Sequence, residues 1–192
     1  MSVMNTQAQV QPQFKFYLAF EDAKHEKDTV WFGVDESAAS QGLDSIFGDT
    51  LIPYDTNIFN VSFGFADTLC RKTVINGTDQ NSWGRYIYSI NHQLPITIRW
   101  DTNLLKNHTL PFELKQATLY NNNYLTLNKT VDLFKSDSVM LPEFTVGGGA
   151  GNHFPLMLFL SKNDPPDDVG IKNTISDAFS VYPKPASTIL NV

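Results

Sequence analysis

Phe14-Lys15-Phe16-Tyr17-Leu18-Ala19-Phe20 places a large apolar side chain at every even position, with Lys15, Tyr17 and Ala19 between them. An extended chain points successive side chains to opposite faces, so this alternation is the pattern of a strand with one buried face. It recurs on odd positions in Phe59-Asn60-Val61-Ser62-Phe63-Gly64-Phe65. Ile96-Thr97-Ile98-Arg99-Trp100 repeats it, with Thr97 and Arg99 on the water side. Further strand candidates are 29–34, 71–75, 86–90, 117–120, 124–127 and 154–160. Turn formers separate them: Asn76-Gly77, Asn121-Asn122-Asn123, Leu141-Pro142 and Gly147-Gly148-Gly149-Ala150-Gly151. No long stretch carries the period of a helix. The pattern points to an all-β chain, an antiparallel β-sandwich, with a small barrel as the alternative closure.

Phe154-Pro155-Leu156-Met157-Leu158-Phe159-Leu160 is apolar on both faces, which predicts a central strand, the last of the domain. The polar run Ser161 to Asp168 follows, with adjacent Pro165 and Pro166, and reads as a boundary. The expected organisation is a polar N-terminus over 1–12, a β domain over 13–161, a linker over 162–178 and a closing segment over 179–192. In that segment, FSVYPKPASTILNV, two prolines disfavour helix and the last six residues read as one short strand.

Apolar residues make up 42% of the 192 and charged ones 18%, with 14 Phe, 7 Tyr and 3 Trp, enough to fill a core. The net charge is −6, and no basic run is longer than Arg71-Lys72. Nothing here supplies the cationic stripe that nucleic acid or an anionic membrane requires. Cys70 is the only cysteine, which excludes an intrachain disulfide and a cysteine-based zinc site. No apolar run approaches the roughly 20 residues of a transmembrane helix. Asn5-Thr6-Gln7-Ala8-Gln9 reads either as the small, polar surroundings of a signal-peptidase site, making 1–12 a signal-peptide remnant, or as an untethered polar terminus.

Asp35, Glu36, Asp44 and Asp49 share one long loop. Asp35, Asp44 and Asp49 are candidate Ca²⁺ ligands; the alternative is that all are turn and cap acids. Gly147 to Gly151 lacks a following Lys-Ser/Thr and precedes a strand, so it reads as a hairpin loop and not a phosphate cradle. His25, His92, His108 and His153 show no metal-ligand spacing, and no Gly-x-Ser-x-Gly elbow is present. Cys70 reads as a small core residue, and no residue is assigned a catalytic role. Trp31, Trp83 and Tyr124, where exposed, suit stacking on sugar rings, which makes a carbohydrate-binding accessory module the alternative function, although Trp31 and Trp100 are expected in the core.

The closing segment, approached by Val169-Gly170-Ile171-Lys172, resembles the start of the type A C-terminal sorting domain of type IX secretion cargo in Bacteroidetes. The match lies in Val181-Tyr182-Pro183, Pro185-Ala186 and Leu190-Asn191-Val192, with Lys184 where Asn is usual. Only the first strand of such a domain is present, so the resemblance implies a truncated signal. Val30-Trp31-Phe32-Gly33-Val34-Asp35, Gly42-Leu43-Asp44, Phe47-Gly48-Asp49 and Phe59-Asn60-Val61-Ser62-Phe63 resemble a module that often precedes it. The resemblance implies an immunoglobulin- or fibronectin-like sandwich on a secreted or cell-surface protein made with a signal peptide, and carries no catalytic residues. The implied partners are the type IX machinery, engaged through a complete sorting domain, and a surface polysaccharide or another surface protein. Asp28-Thr29-Val30, Asp44-Ser45-Ile46, Asp49-Thr50-Leu51, Asp67-Thr68-Leu69 and Asp137-Ser138-Val139 resemble the periplasmic O-glycosylation motif of the same bacteria. They are equally ordinary turn-to-strand sequence.

Overall fold

The computed structural model describes residues 10–39, 43–53, 57–65, 68–78, 80–121, 130–141 and 156–164. Its strands are β1 (Phe14–Glu21), β2 (Lys27–Asp35), β3 (Asn60–Phe65), β4 (Thr68–Cys70), β5 (Lys72–Asn76), β6 (Ser82–Ile90), β7 (Ile96–Arg99), β8 (Gln116–Asn121), β9 (Thr130–Asp132), β10 (Ser138–Leu141) and β11 (Leu156–Ser161). In β1 the alternation is realised directly: Phe14, Phe16, Leu18 and Phe20 are buried, while Lys15, Tyr17 and Ala19 are half-exposed on the other side. β2 pairs antiparallel with β1 and sets Val34, Phe32 and Val30 opposite Phe14, Phe16 and Leu18, so one face of the pair is continuous hydrocarbon. Asp22 holds the turn between them, accepting the Lys24 and Glu26 N–H groups, and also accepts the Gln93 N–H.

Two sheets result, one of five strands in the order β10-β7-β1-β2-β5 and one of six in the order β4-β3-β6-β11-β8-β9. β11 lies between β6 and β8, the central place that its two-sided apolar pattern predicts. The inward residues of both sheets, among them Phe16, Phe32, Phe63, Ile87, Leu119 and Leu158, belong to one buried cluster. Phe32 and Phe63, from opposite sheets, have ring centroids 6.3 Å apart. Asp28 adds a polar tie, its Oδ2 accepting the Val61 N–H at 2.8 Å and pairing with the Arg71 guanidinium at 3.2 Å.

The pairing is not antiparallel throughout, as the sequence had suggested. β5 runs parallel to β2, with Phe32 opposite Thr73. The route explains this: after β2 the chain crosses to the six-stranded sheet, forms the β3–β4 hairpin there and returns at β5, the kind of long connection that parallel neighbours require. β4, β9 and β10 have three or four residues each, too short to display a period. β6 starts at Ser82, four residues before the expected 86. The only α-helix among the described residues, α1 (Thr102–Lys106), is capped by Asp101, which accepts the Asn103 N–H. No helix there is long and apolar enough to cross a membrane. Packing continues past residue 161: the Lys162 N–H donates to Asn81 O at 2.8 Å, and Asp164 pairs with Lys115 at 2.8 Å. The expected strand 124–127, the glycine run 147–151, the N-terminal stretch 5–9 and the closing segment lie outside the described residues.

Phe16→Ala empties a fully buried site and is expected to cost about 3–5 kcal/mol, whereas Tyr17→Ala, one residue on, is expected to cost about 1 kcal/mol. Urea titration should show this as unequal midpoint shifts with unchanged slope. Equal costs for the two substitutions would contradict the facing of β1.

Candidate functional site

The acidic loop is built against β5. Val74, on the outward side of that strand, is covered by Ala38 and Phe47 in a small second cluster. Asp44 caps a 3₁₀ turn (Ser45–Phe47): its Oδ1 accepts the Ile46 N–H at 3.1 Å and its Oδ2 the Ala39 N–H at 3.0 Å. Gly48 closes that turn at φ 80°, a left-handed conformation for which glycine carries no steric cost. Asp49 Oδ2 then accepts two amides, Asp44 N–H at 3.2 Å and Val74 N–H at 3.0 Å. Lys72 reaches across to donate its ammonium to Phe47 O. Asp35 sits at the base of the loop, where Oδ1 accepts the Ser37 amide and hydroxyl and Oδ2 accepts the Gln13 N–H.

The structure therefore brings Asp44 and Asp49 together, leaves Asp35 on separate amides, and turns Glu36 out to solvent. All three aspartates are buried, with 8%, 9% and 3% of the surface of Asp35, Asp44 and Asp49 exposed. Among the described residues no group of three or more metal-ligating side chains gathers. Burial pushes the Asp49 carboxyl above its usual range, against the opposing pull of the Val74 and Asp44 amides and the Lys72 charge. Burial also acts on Asp35, but the Ser37 and Gln13 hydrogen bonds outweigh it and hold that carboxyl below its usual range.

The tryptophans divide differently from the sequence expectation. Trp83 is not available to a sugar: it is 4% exposed, stacks on Phe112 at 5.7 Å and donates Nε1–H to Asn76 O at 3.1 Å. Register is the reason, since Trp83 lies opposite Leu160 and Ile87 opposite Leu156, which turns these positions of β6 inward. Trp100 is likewise buried, with its Nε1–H on Leu133 O. Trp31, expected in the core, instead faces outward, 5.2 Å from Tyr17, with the Lys15 ammonium 4.2 Å from its ring. Tyr124 lies outside the described residues.

The outward faces of the two sheets differ in kind. The five-stranded sheet carries Lys15, Glu21, Lys27 and Arg99 around Tyr17 and Trp31, and Glu21 pairs with Arg99 at 2.9 Å and His25 at 2.8 Å. That is a solvated, ion-paired surface. The six-stranded sheet instead sets Gly64, Tyr86, Met157, Tyr120 and Thr130 in one cross-strand row, and Gly84, Phe159, Thr118 and Asp132 in the next. Asp132, on the edge strand β9, is the only charged residue in either row. Tyr88 lies over Gly64, where a Cβ would come within 2.0 Å of its ring. Phe159 and Tyr120 meet edge to face at 6.1 Å, and Gln116 Nε2 donates to Tyr120 Oη and Thr118 Oγ1. Tyr86 is 45% exposed. Sequence reading passed over this surface. Its signal was present in Met157 and Phe159, which make 154–160 apolar on both faces.

The remaining candidates stay dispersed. His25 is exposed, while burial depresses the His92 and His108 imidazoles. His153 lies outside the described residues. Burial, and then the nearby Asp49 charge, push the Cys70 thiol up to about 12, so it is a core residue and no nucleophile. A cleft of about 610 Å³ holds His108 among Lys106, Glu113, Lys115 and Asp164, with Lys115 and Asp164 paired to each other. Of the Asp-Ser/Thr hydroxyl residues, Ser45, Thr50 and Ser138 are exposed and Thr29 is half-buried. The sorting-motif residues Val181, Tyr182, Pro183, Pro185, Ala186, Leu190, Asn191 and Val192 lie outside the described residues. Comparison with protein-family models, with curated proteins and with solved structures finds no match.

The two perturbed carboxyls predict opposite pH slopes. Asp35, depressed when folded, contributes stability above the unfolded carboxylate pKa that is lost as pH falls through its folded value, so the penalty of Asp35→Asn should grow from pH 3 to 7. Asp49, raised when folded, contributes stability that is lost as pH rises through its folded value, so the penalty of Asp49→Asn should shrink over the same range. Denaturant titrations at both pH values check this. Millimolar calcium should leave the melting temperature within error, because Ca²⁺ needs about six to eight oxygens and these carboxylates already accept main-chain amides. A calcium-dependent rise abolished by Asp44→Ala would restore the cation reading.

Proposed function

We propose that the chain is a noncatalytic binding module, a β-sandwich of immunoglobulin or fibronectin type, from an exported cell-surface or secreted protein. The aromatic outward face of the six-stranded sheet, charged only at Asp132 on its edge, is the observation that carries this reading. Scattered surface apolar residues are ordinary, but tyrosines, Phe159 and Met157 set in register across β6, β11 and β8 form a contiguous patch of the kind found at interaction sites. The sandwich reading is supported by two sheets whose inward residues share one cluster. Export is supported by the resemblance of Val181-Tyr182-Pro183, Pro185-Ala186 and Leu190-Asn191-Val192 to the opening of a type IX sorting signal. On this reading the secretion machinery is engaged by a complete sorting domain, and the sheet face meets its own ligand outside the cell.

Joining a complete sorting domain in frame after Val192, behind an intact signal peptide, is expected to deliver the module to the surface of a host with a type IX system. Surface proteolysis of intact cells reads the outcome. Retention in the periplasm, while a control cargo is exported, would overturn the export reading.

A further inference from the structure

We propose that the outward face of the six-stranded sheet binds a neutral polysaccharide, running across β6, β11 and β8; this rests on the reading that this face is the module's binding surface. A sugar ring offers C–H faces that pack on aromatic rings and a rim of hydroxyls that need hydrogen-bond partners. Tyr86 and Tyr120 stand in one row two strands apart, about 10 Å at ordinary strand spacing, with Met157 between them. A polymer crossing the strands meets both rings, and two weak stacking contacts on one chain reinforce each other.

The hydroxyls of Tyr86, Tyr120 and Thr130 and the Gln116 amide supply neutral donors and acceptors, while Thr118, 4% exposed, is buried beneath them and accepts from Gln116. Tyr120 is already held by Phe159 and Gln116, so little side-chain freedom is lost on binding. Charge decides against ionic ligands, because Asp132 on the edge strand is the only charged group in the two rows. A second copy of the chain is the competing occupant of this face, and the test separates the two.

The test is affinity electrophoresis of the full chain in gels containing cellulose derivatives, glucomannan or galactan as neutral probes, and polygalacturonate as the anionic one. At least one neutral polysaccharide should retard the chain, unaffected by high salt. Tyr86→Ala and Tyr120→Ala should each weaken retardation about tenfold, roughly 1.4 kcal/mol. Trp31→Ala, on the other sheet, should leave it unchanged. Equal melting temperatures would exclude misfolding, and Tyr86→Phe, which keeps the ring, should retain most of the binding. No retardation by any neutral probe, retention in both tyrosine variants, or salt-sensitive retardation by polygalacturonate alone overturns the proposal. Sedimentation velocity on the same samples separates this failure from failure of the underlying reading. If neutral glycans fail but Tyr86→Ala abolishes self-association, a second copy occupies the face and the binding reading stands. If the variants are indistinguishable in both measurements, both fall.

Discussion

The Val74 N–H sits on the edge of a sheet, inside a covered surface, and a buried amide without an acceptor costs about 1–3 kcal/mol. Asp49 accepts it, and with the same oxygen accepts Asp44 N–H, so one carboxylate ties the irregular loop to the last strand of the five-stranded sheet. The parallel return of β5 beside β2 depends on this closure, since among the described residues β5 pairs with no further strand on that side. Asp44, Asp35 and Asp22, in the connections, and Asp28, near the start of β2, also accept main-chain amides. A chain with one cysteine thus ties its connections through carboxylates and main-chain amides. Acids committed in this way have few oxygens left for a cation, and Lys72, donating to Phe47 O, brings positive charge of its own.

This arrangement also separates charge by face. Glu21, Arg99, Lys27 and Lys15 keep the outward side of the five-stranded sheet hydrated, and ion pairs of this exposure add little stability. The six-stranded sheet carries no such set across β6, β11 and β8. Two sheets that share a core thus offer outward faces that differ in charge, one ion-paired around Tyr17 and Trp31 and the other aromatic with Asp132 at its edge.

Much of the fold was legible because burial writes a period of two into β1, β2 and β7 and a run apolar on both faces into β11. What escaped notice depends on contacts between residues remote in the chain. Parallel pairing of β5 with β2 leaves no mark on either strand. Trp83 was misplaced because its facing is fixed by register against Leu160, and a one-residue slip reverses every side chain in a strand. The aspartates were visible as a cluster, but their acceptor roles involve Gln13 and Val74, 22 and 25 residues away from Asp35 and Asp49.

The strand 156–161 shows why the candidate surface was the hardest part to read. Apolar residues on both faces mean burial on both faces in most sheets, and the central place of β11 satisfies that expectation. Yet Met157 and Phe159 point away from the core and are only half-buried, shielded by Tyr120 and by their neighbours in the row. Centrality within a sheet removes the edge and leaves the outward face open. The five-stranded sheet mixes polar and aromatic residues, setting Thr29, Thr97 and Arg99 beside Tyr17 and Trp31 on its outward side. Half-exposed aromatic rings on the six-stranded sheet carry a cost in solvation, which a ligand of the proposed kind would offset by covering them.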